Sequence, residues 1–459
     1  MSLRLRLYKA WTHRYRLKLQ PAQVIAIVFA GLILLGAVLL SLPAASRSGE
    51  SCGFLPALFT ATSSTCVTGL ILFDTWTQWS GFGQIVIISL IEIGGLGFMS
   101  AASLVVFLLR KKVGLKQRMV MAQALSVSDM DSVVRLQKWV LVGSISIQLA
   151  GATVLFFRFL PEYGVENAVK WGIFHAISGF CNAGFDIVGC IQPGASMMVF
   201  NDDPVVLITL MALVVLGGLG FFVWEEVVRL HSWKKFSVYT KLVLLASGVL
   251  LIGGAAAFCV LEWSNPQTLG TMPVWQKILN GFFQSVTVRT AGFAAIDQAA
   301  LTDGGKAVSM VLMLIGGSSG STAGGMKTVT MLVLILFIWA RARGRHTVCV
   351  FKRTIPEKQA MDAMTISSIM VALAIFGAIF ISATNPVGFT DALYETVSAL
   401  ATVGLTAGVT PVLGTISRIM IIVFMYFGRV GVLTLSLGFL MGNKADDRYR
   451  YASTNLLIG

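Results

Sequence analysis

Apolar residues gather into eight long runs, at roughly 24–42, 81–109, 139–160, 205–228, 242–261, 307–340, 363–383 and 417–441. A helix needs about 20 such residues to cross a bilayer core, so the pattern predicts eight membrane helices. Four mixed stretches lie between the first and second runs, the third and fourth, the fifth and sixth, and the seventh and eighth. They read FLPALFTATSSTCVTGLILFD, WGIFHAISGFCNAGFDI, LNGFFQSVTVRTAGFAAID and DALYETVSALATVGLTAG. Each opens as a short amphipathic helix and closes in a polar strand with glycine.

The four stretches align on Gly69, Gly184, Gly292 and Gly404, which are separated by 115, 108 and 112 residues. Ten positions before each glycine stands an aromatic residue: Phe59, Phe174, Phe282 and Tyr394. One position after it stands Leu70, Phe185, Phe293 or Leu405. Four matches in register predict an internal repeat of helix, half-helix, loop and helix. The boundaries are a basic tail at 1–20, repeats at 21–118, 119–240, 241–358 and 359–442, and a tail at 443–459.

Composition agrees. The chain of 459 residues is 56% hydrophobic and 12% charged, against about 25% charged in a soluble protein. Only lipid can solvate such a surface. The net charge of +14 invites a nucleic-acid reading, but its distribution excludes one. The basic clusters MSLRLRLYKAWTHRYRLK, RKKVGLKQR, RLHSWKKFSVYTK, RARGRHTVCVFKRTIPEK and NKADDRYR all fall on one side if eight helices alternate. That is the positive-inside pattern, and it predicts cytoplasmic termini. The six Cys and four His show no metal spacing.

A half-helix of about ten residues spans only about 15 Å, half a bilayer core. It must enter and leave by one face, here the external one. Its C-terminus then points to the membrane centre, where the dipole favours a cation. If the four returning strands surround a pseudo-fourfold axis, their carbonyls face one another. Such a strand needs alternating backbone conformations, which glycine supplies. Rings of carbonyls can replace the hydration shell of a large monovalent cation. The candidate filter comprises Thr68, Gly69, Asn182, Ala183, Gly184, Thr290, Ala291, Gly292, Thr402, Val403 and Gly404, with a large monovalent cation at their carbonyls.

The strand Thr402-Val403-Gly404 is similar to the filter of potassium channels. FCNAGF, TVRTAGF and TVGLTAGVTP, set in four linked repeats, resemble the Trk/Ktr/HKT superfamily of potassium transporters. The likeness is greatest to the membrane subunit of bacterial Ktr systems and runs from about Gln20 to Gly442. It implies an all-α membrane fold, potassium uptake at a bacterial plasma membrane, and a homodimer. It also implies a cytoplasmic ring of nucleotide-binding subunits, so that nucleotide acts only through a partner. Glycine at all four filter positions is the pattern of potassium-selective members. Sodium-selective plant relatives carry Ser where this chain has Gly69.

The sixth run departs from the others. Gly316, Gly317, Ser318, Ser319, Gly320, Ser321, Thr322, Ala323, Gly324 and Gly325 follow without a bulky residue, and Gly costs about 1 kcal/mol relative to Ala within a helix. Unwinding is expected here, and unwound backbone inside a membrane lines water or protein. The segment matches the gating loop of the resembled family. Arg429, inside the last run, is expected at the same depth and against the loop's carbonyls. Gly94, Gly217 and Gly428 mark the other second helices of each pair. Arg289 is expected behind the filter, paired with Glu395 as a brace. Lys327 is expected to reach the membrane interface, and Glu92 has no assigned partner. Asp74, Asp186 and Asp297 follow the filters as a candidate negative vestibule. The basic loop 341–358 is the expected docking surface for the partner.

Two rival functions stand beside potassium permeation. A sodium- or proton-coupled carrier would use Glu92. A membrane enzyme would need clustered His, Cys or acids at the membrane, and the four scattered His argue against it.

Overall fold

The computed structural model describes residues 21–97, 133–345 and 347–431. The two tails, the cluster RKKVGLKQR and parts of the expected repeat boundaries lie outside the described residues. The protein is mostly helical. The first long helices are α1 (Pro21–Ser41) and α3 (Gly81–Leu96), with the short α2 (Phe54–Thr65) between them. Helix α4 (Val133–Cys181) contains non-helical backbone at Gly164, so a long helix and a short one run together. Helices α5 (Pro204–Leu219) and α6 (Phe221–Leu230) follow, then α7 (Val238–Glu262), the short α8 (Val274–Thr287) and α9 (Asp303–Leu314). Next come α10 (Thr328–Ala342), α11 (Glu357–Thr384), the short α12 (Phe389–Leu400) and α13 (Thr415–Val430). A hairpin of β1 (Val348–Val350) and β2 (Arg353–Ile355) occupies the basic connection between α10 and α11.

Among the described residues four helices are long and apolar enough to cross a membrane, or five if α5 and α6 count as one span bent by 95°. The eight expected runs are therefore not eight uninterrupted helices. The reason is local. Helix α3 ends at Gly97, α5 at Gly220 and α13 at Gly431, with φ of 82°, 97° and 92°. A right-handed helix cannot continue through positive φ, and glycine reaches it without penalty. Each stop falls three residues after a glycine expected in the sequence: Gly94, Gly217 or Gly428. The sixth run is interrupted over a longer stretch, between Leu314 and Thr328.

Those three earlier glycines admit close packing. A Cβ at Gly94 would strike the carbonyl oxygen of Thr65, one at Gly217 that of Phe180, and one at Gly428 that of Leu400. Each struck carbonyl sits near the end of a short helix, four residues before its loop glycine. Long helices therefore press directly on the ends of the short ones.

Candidate functional site

The four glycine loops meet. A Cβ built on Gly69 would stand 2.5 Å from the carbonyl oxygen of Ala183, and one on Gly184 2.7 Å from that of Ala291. One on Gly292 would stand 2.5 Å from the carbonyl oxygen of Val403, and one on Gly404 would strike that of Thr68. Each loop thus touches the next, and the fourth touches the first. All four glycines line a single cavity of about 320 Å³.

Backbone conformation alternates in each loop. The glycines have φ of 96°, 68°, 83° and 95°; two residues earlier, Val67, Asn182, Thr290 and Thr402 have φ of 55°, 61°, 72° and 51°. Asn tolerates this region, but three of these residues are β-branched and pay about 1–3 kcal/mol each. Val67 escaped the sequence reading, which began the first loop at Thr68. Its signal was available: it occupies the place of Asn182, Thr290 and Thr402.

Hydroxyls on the short helices hold the loops from behind. Ser63 and Ser398 accept the amides of Gly69 and Gly404, each at 3.1 Å. Ser178 donates to the carbonyl of Phe185 at 2.7 Å, and Thr287 to that of Phe293 at 2.6 Å. The loop amides of Thr68, Ala183 and Val403 donate back to Ser63, Ser178 and Ser398 carbonyls at 2.8 Å. These hydroxyls were also missed, although three of them lie six residues before a loop glycine.

The stretch Ile315–Lys327 lies at the other end of the glycine strands from the cavity. A Cβ on Gly324 would collide with the hydroxyl of Thr402, and one on Gly325 would stand 3.1 Å from the carbonyl oxygen of Ala401. Its middle completes the broken helix α5–α6. The amides of Ser318 and Thr322 donate to the carbonyls of Gly218 and Gly217, at 2.9 and 3.2 Å. The amide of Phe221, first in α6, donates to the carbonyl of Gly320 at 2.8 Å. Groups orphaned at two helix ends are thereby satisfied. Thr322 also donates its hydroxyl to the carbonyl of Phe180 at 3.1 Å, and Tyr239 donates to that of Ser319 at 3.1 Å.

Arg429 joins this stretch to α3. Its guanidinium donates to the carbonyl of Thr322, to that of Gly94, and to that of Gly95 at 3.0 Å. A cation at the carbonyl end of α3 suits the helix dipole. Lys327 corrects the expectation of reaching an interface. Its ammonium turns back to the carbonyl of Ala323 at 2.8 Å.

Arg289 and Glu395 do not form the expected brace. Glu395 is occupied by its own loop: the hydroxyls of Thr406, at 2.7 Å, and Thr410 donate to it. Arg289 donates instead to the hydroxyl of Thr328 at 3.2 Å. Glu92 now has partners, Gln148 at 2.9 Å and the thiol of Cys181 at 3.3 Å. Asp74, Asp186 and Asp297 all line the cavity beside the four glycines. Asp74 accepts the amides of Thr77 at 2.8 Å and Gly194 at 3.0 Å. In the loop beyond the second glycine, burial and then the neighbouring Asp74 push the Asp186 carboxyl up to about 7.

The family model described as TrkH, cation transport protein, matches residues 7–447. The chain belongs to this family. It is 40% identical over 451 residues to the potassium/sodium uptake protein NtpJ of Enterococcus hirae, covering 97% of this chain and 99% of that one. It is 40% identical over 431 residues to the Ktr system potassium uptake protein B of Bacillus subtilis, covering 94% and 95%. The crystal structure of the potassium transporter TrkH from Vibrio parahaemolyticus superposes with a TM-score of 0.71 at 17% identity, over 93% of this chain and 86% of that one. At that identity the likeness carries the fold. This TrkH-family chain is accordingly a multi-pass membrane protein with the architecture of a cation transporter.

Proposed function

We propose that the chain takes up potassium through a pore formed where its four glycine loops meet. The four segments bounded as above act as tandem helix–pore-loop–helix repeats around a pseudo-fourfold axis. Carbonyls of the eleven filter residues, together with Val67, take the place of water around the ion. Uptake follows the electrochemical gradient, to which the membrane potential adds about 2.3 kcal/mol per charge per 100 mV. Gly316–Gly325 is the gate, and Arg429 holds it closed through the Thr322 carbonyl while placing a positive charge at the pore's inner end. The carboxylates of Asp74, Asp186 and Asp297 gather cations at the outer mouth. The reading places the protein in a bacterial plasma membrane with cytoplasmic termini, as a homodimer. A cytoplasmic nucleotide-binding ring docks on the basic connection 341–358.

The observation that carries this reading is the closed circuit of contacts from Gly69 to Ala183, Gly184 to Ala291, Gly292 to Val403 and Gly404 to Thr68. Glycines placed only for helix packing have no reason to touch one another in sequence order and share one cavity. The relatives' names support potassium, and one adds sodium. The test is flux through vesicles containing the purified chain, under potassium and sodium gradients separately. Potassium should pass in preference, and Gly69→Ser should lower the potassium-over-sodium ratio by about tenfold, or about 1.4 kcal/mol. An unaltered ratio in that variant, with normal flux, removes the loops from selectivity.

A further inference from the structure

The third glycine loop differs from the other three in how it meets the long helix behind it. In the first, second and fourth, contact is made by glycine against a carbonyl: Gly94 with Thr65, Gly217 with Phe180, Gly428 with Leu400. In the third, contact is made by a side-chain relay. Three residues before each loop glycine stand Cys66, Cys181, Arg289 and Ala401. Only the third is long and charged. Arg289 is 9% exposed, and its guanidinium donates to the Thr328 hydroxyl at 3.2 Å.

Thr328 is the first residue of α10, where the unwound stretch ends. Its hydroxyl donates onward to the carbonyl of Gly316 at 2.8 Å, and its amide to that of Gly317 at 3.0 Å. The amide of Gly316 donates to the carbonyl of Met326 at 2.9 Å. These bonds tie the two ends of the stretch together at a neck, and Arg289 is fastened to that neck. On its other side Arg289 adjoins Thr290, whose φ of 72° is a strained conformation for a β-branched residue. Asn182 of the second loop, Arg289 and Gly317 share the wall of one small cavity of about 20 Å³. Strained backbone persists only where its surroundings hold it. Here the surroundings include the neck of the unwound stretch.

We infer that Arg289 is a positioning residue that couples the neck at Gly316, Gly317 and Thr328 to the geometry of Thr290–Gly292, so that the ion selectivity of the pore depends on the state of the gate. This rests on the proposed reading of the glycine loops as the filter. When the neck is zipped, the guanidinium is anchored and Thr290 is held at positive φ. When the neck parts, the anchor is lost and the third strand relaxes, loosening one side of the carbonyl ring.

The test uses the full chain in vesicles with four variants: Thr328→Val, Thr328→Ser, Arg289→Gln, and the double variant Thr328→Val with Arg289→Gln. The readouts are potassium flux and the potassium-over-sodium ratio, with Gly69→Ser as control. Thr328→Val keeps shape and removes the relay hydroxyl, so it should lower the ratio about fivefold, a coupling of about 1 kcal/mol. Arg289→Gln should lower it to a similar degree, the double variant should fall no further than either single one, and Thr328→Ser should retain the native ratio. If Thr328→Val changes total flux while leaving the ratio native, the contact serves the gate or the fold alone and the coupling is refuted. Additive losses in the double variant refute it as well. If Gly69→Ser also leaves the ratio native, the filter reading fails and takes this inference with it. If Gly69→Ser shifts the ratio and the relay variants do not, only the coupling falls.

Discussion

The ring of glycine loops and the unwound stretch at its other end are both built from glycine, hydroxyls and exposed backbone, yet they are held in opposite ways. Each loop is secured mainly by its own short helix: Ser63 holds Gly69, Ser178 holds Phe185, Thr287 holds Phe293 and Ser398 holds Gly404. The stretch Ile315–Lys327 is secured mainly from far along the chain, by Gly217, Gly218, Phe180, Tyr239 and Arg429. Local, repeated bonds make a more rigid element, in which the third loop alone is also tied to the distant neck, through Arg289 and Thr328. Bonds to distant partners make an element that moves when those partners move. On the proposed reading the filter has the first kind of support and the gate the second.

The comparison is most exposed to Gly404→Ala. At φ of 95° a left-handed residue costs about 1–2 kcal/mol, and the new methyl would strike the Thr68 carbonyl and stand 2.8 Å from the Gly69 Cα. These are backbone atoms and cannot rotate away. Potassium uptake should fall by two or more orders of magnitude (about 3 kcal/mol) in protein that still elutes as a single species. Native uptake in this variant would mean that the ring is not the path.

Support from a distance is tested by releasing it. Arg429→Ala removes donors to Thr322, Gly94 and Gly95, and hydrogen bonds to charged groups contribute about 1.5–3 kcal/mol. Basal flux without any partner should rise about tenfold. Shortening Gly316–Gly325 by three residues should raise it further. A fall in flux in both variants, with folding preserved, would show that the stretch is part of the conducting path rather than an obstruction.

The same contrast explains what could be read from the sequence. Gly69, Gly184, Gly292 and Gly404 were legible because repetition placed them in register. The matching aromatic row was legible only in part: Phe59 and Tyr394 are fully buried, but Phe282 is 39% exposed and its neighbour Phe283 takes the inside position. The unwinding at Gly316–Gly325 was legible from its density of small residues. The stops at Gly97, Gly220 and Gly431 were not, because each follows a packing glycine by three residues and a glycine in an apolar run looks the same whether it packs or breaks a helix. The partners of Arg289 and Glu395 were illegible for a third reason. Sequence shows that a buried charge needs a partner; it does not show that Thr406 and Thr410 already satisfy Glu395, or that the neck at Thr328 lies within reach of Arg289.

The smallest expected effect concerns the mouth of the ring, where charge acts through water rather than through contact. Asp186 stands beside Asp74 in the wall of the cavity, with its carboxyl pushed up to about 7. Above that pH the group is charged and adds to the attraction for cations. As external pH falls through about 7 it takes up a proton, and the local cation concentration drops. Uptake at limiting potassium should therefore decline about two- to threefold between pH 8 and pH 6 at low ionic strength, and salt should mask the decline because screening acts within about 10 Å at 0.1 M. Asp186→Asn should lower uptake to the acidic level and flatten the profile, with the selectivity ratio unchanged. On the proposed reading Gly404→Ala strikes the path, Arg429→Ala the obstruction, and Asp186→Asn only the supply of ions to it. If Asp186→Asn alters selectivity as strongly as Gly69→Ser, the vestibule is not a separate concentrating layer, and the rigid filter must extend outward to include that side chain.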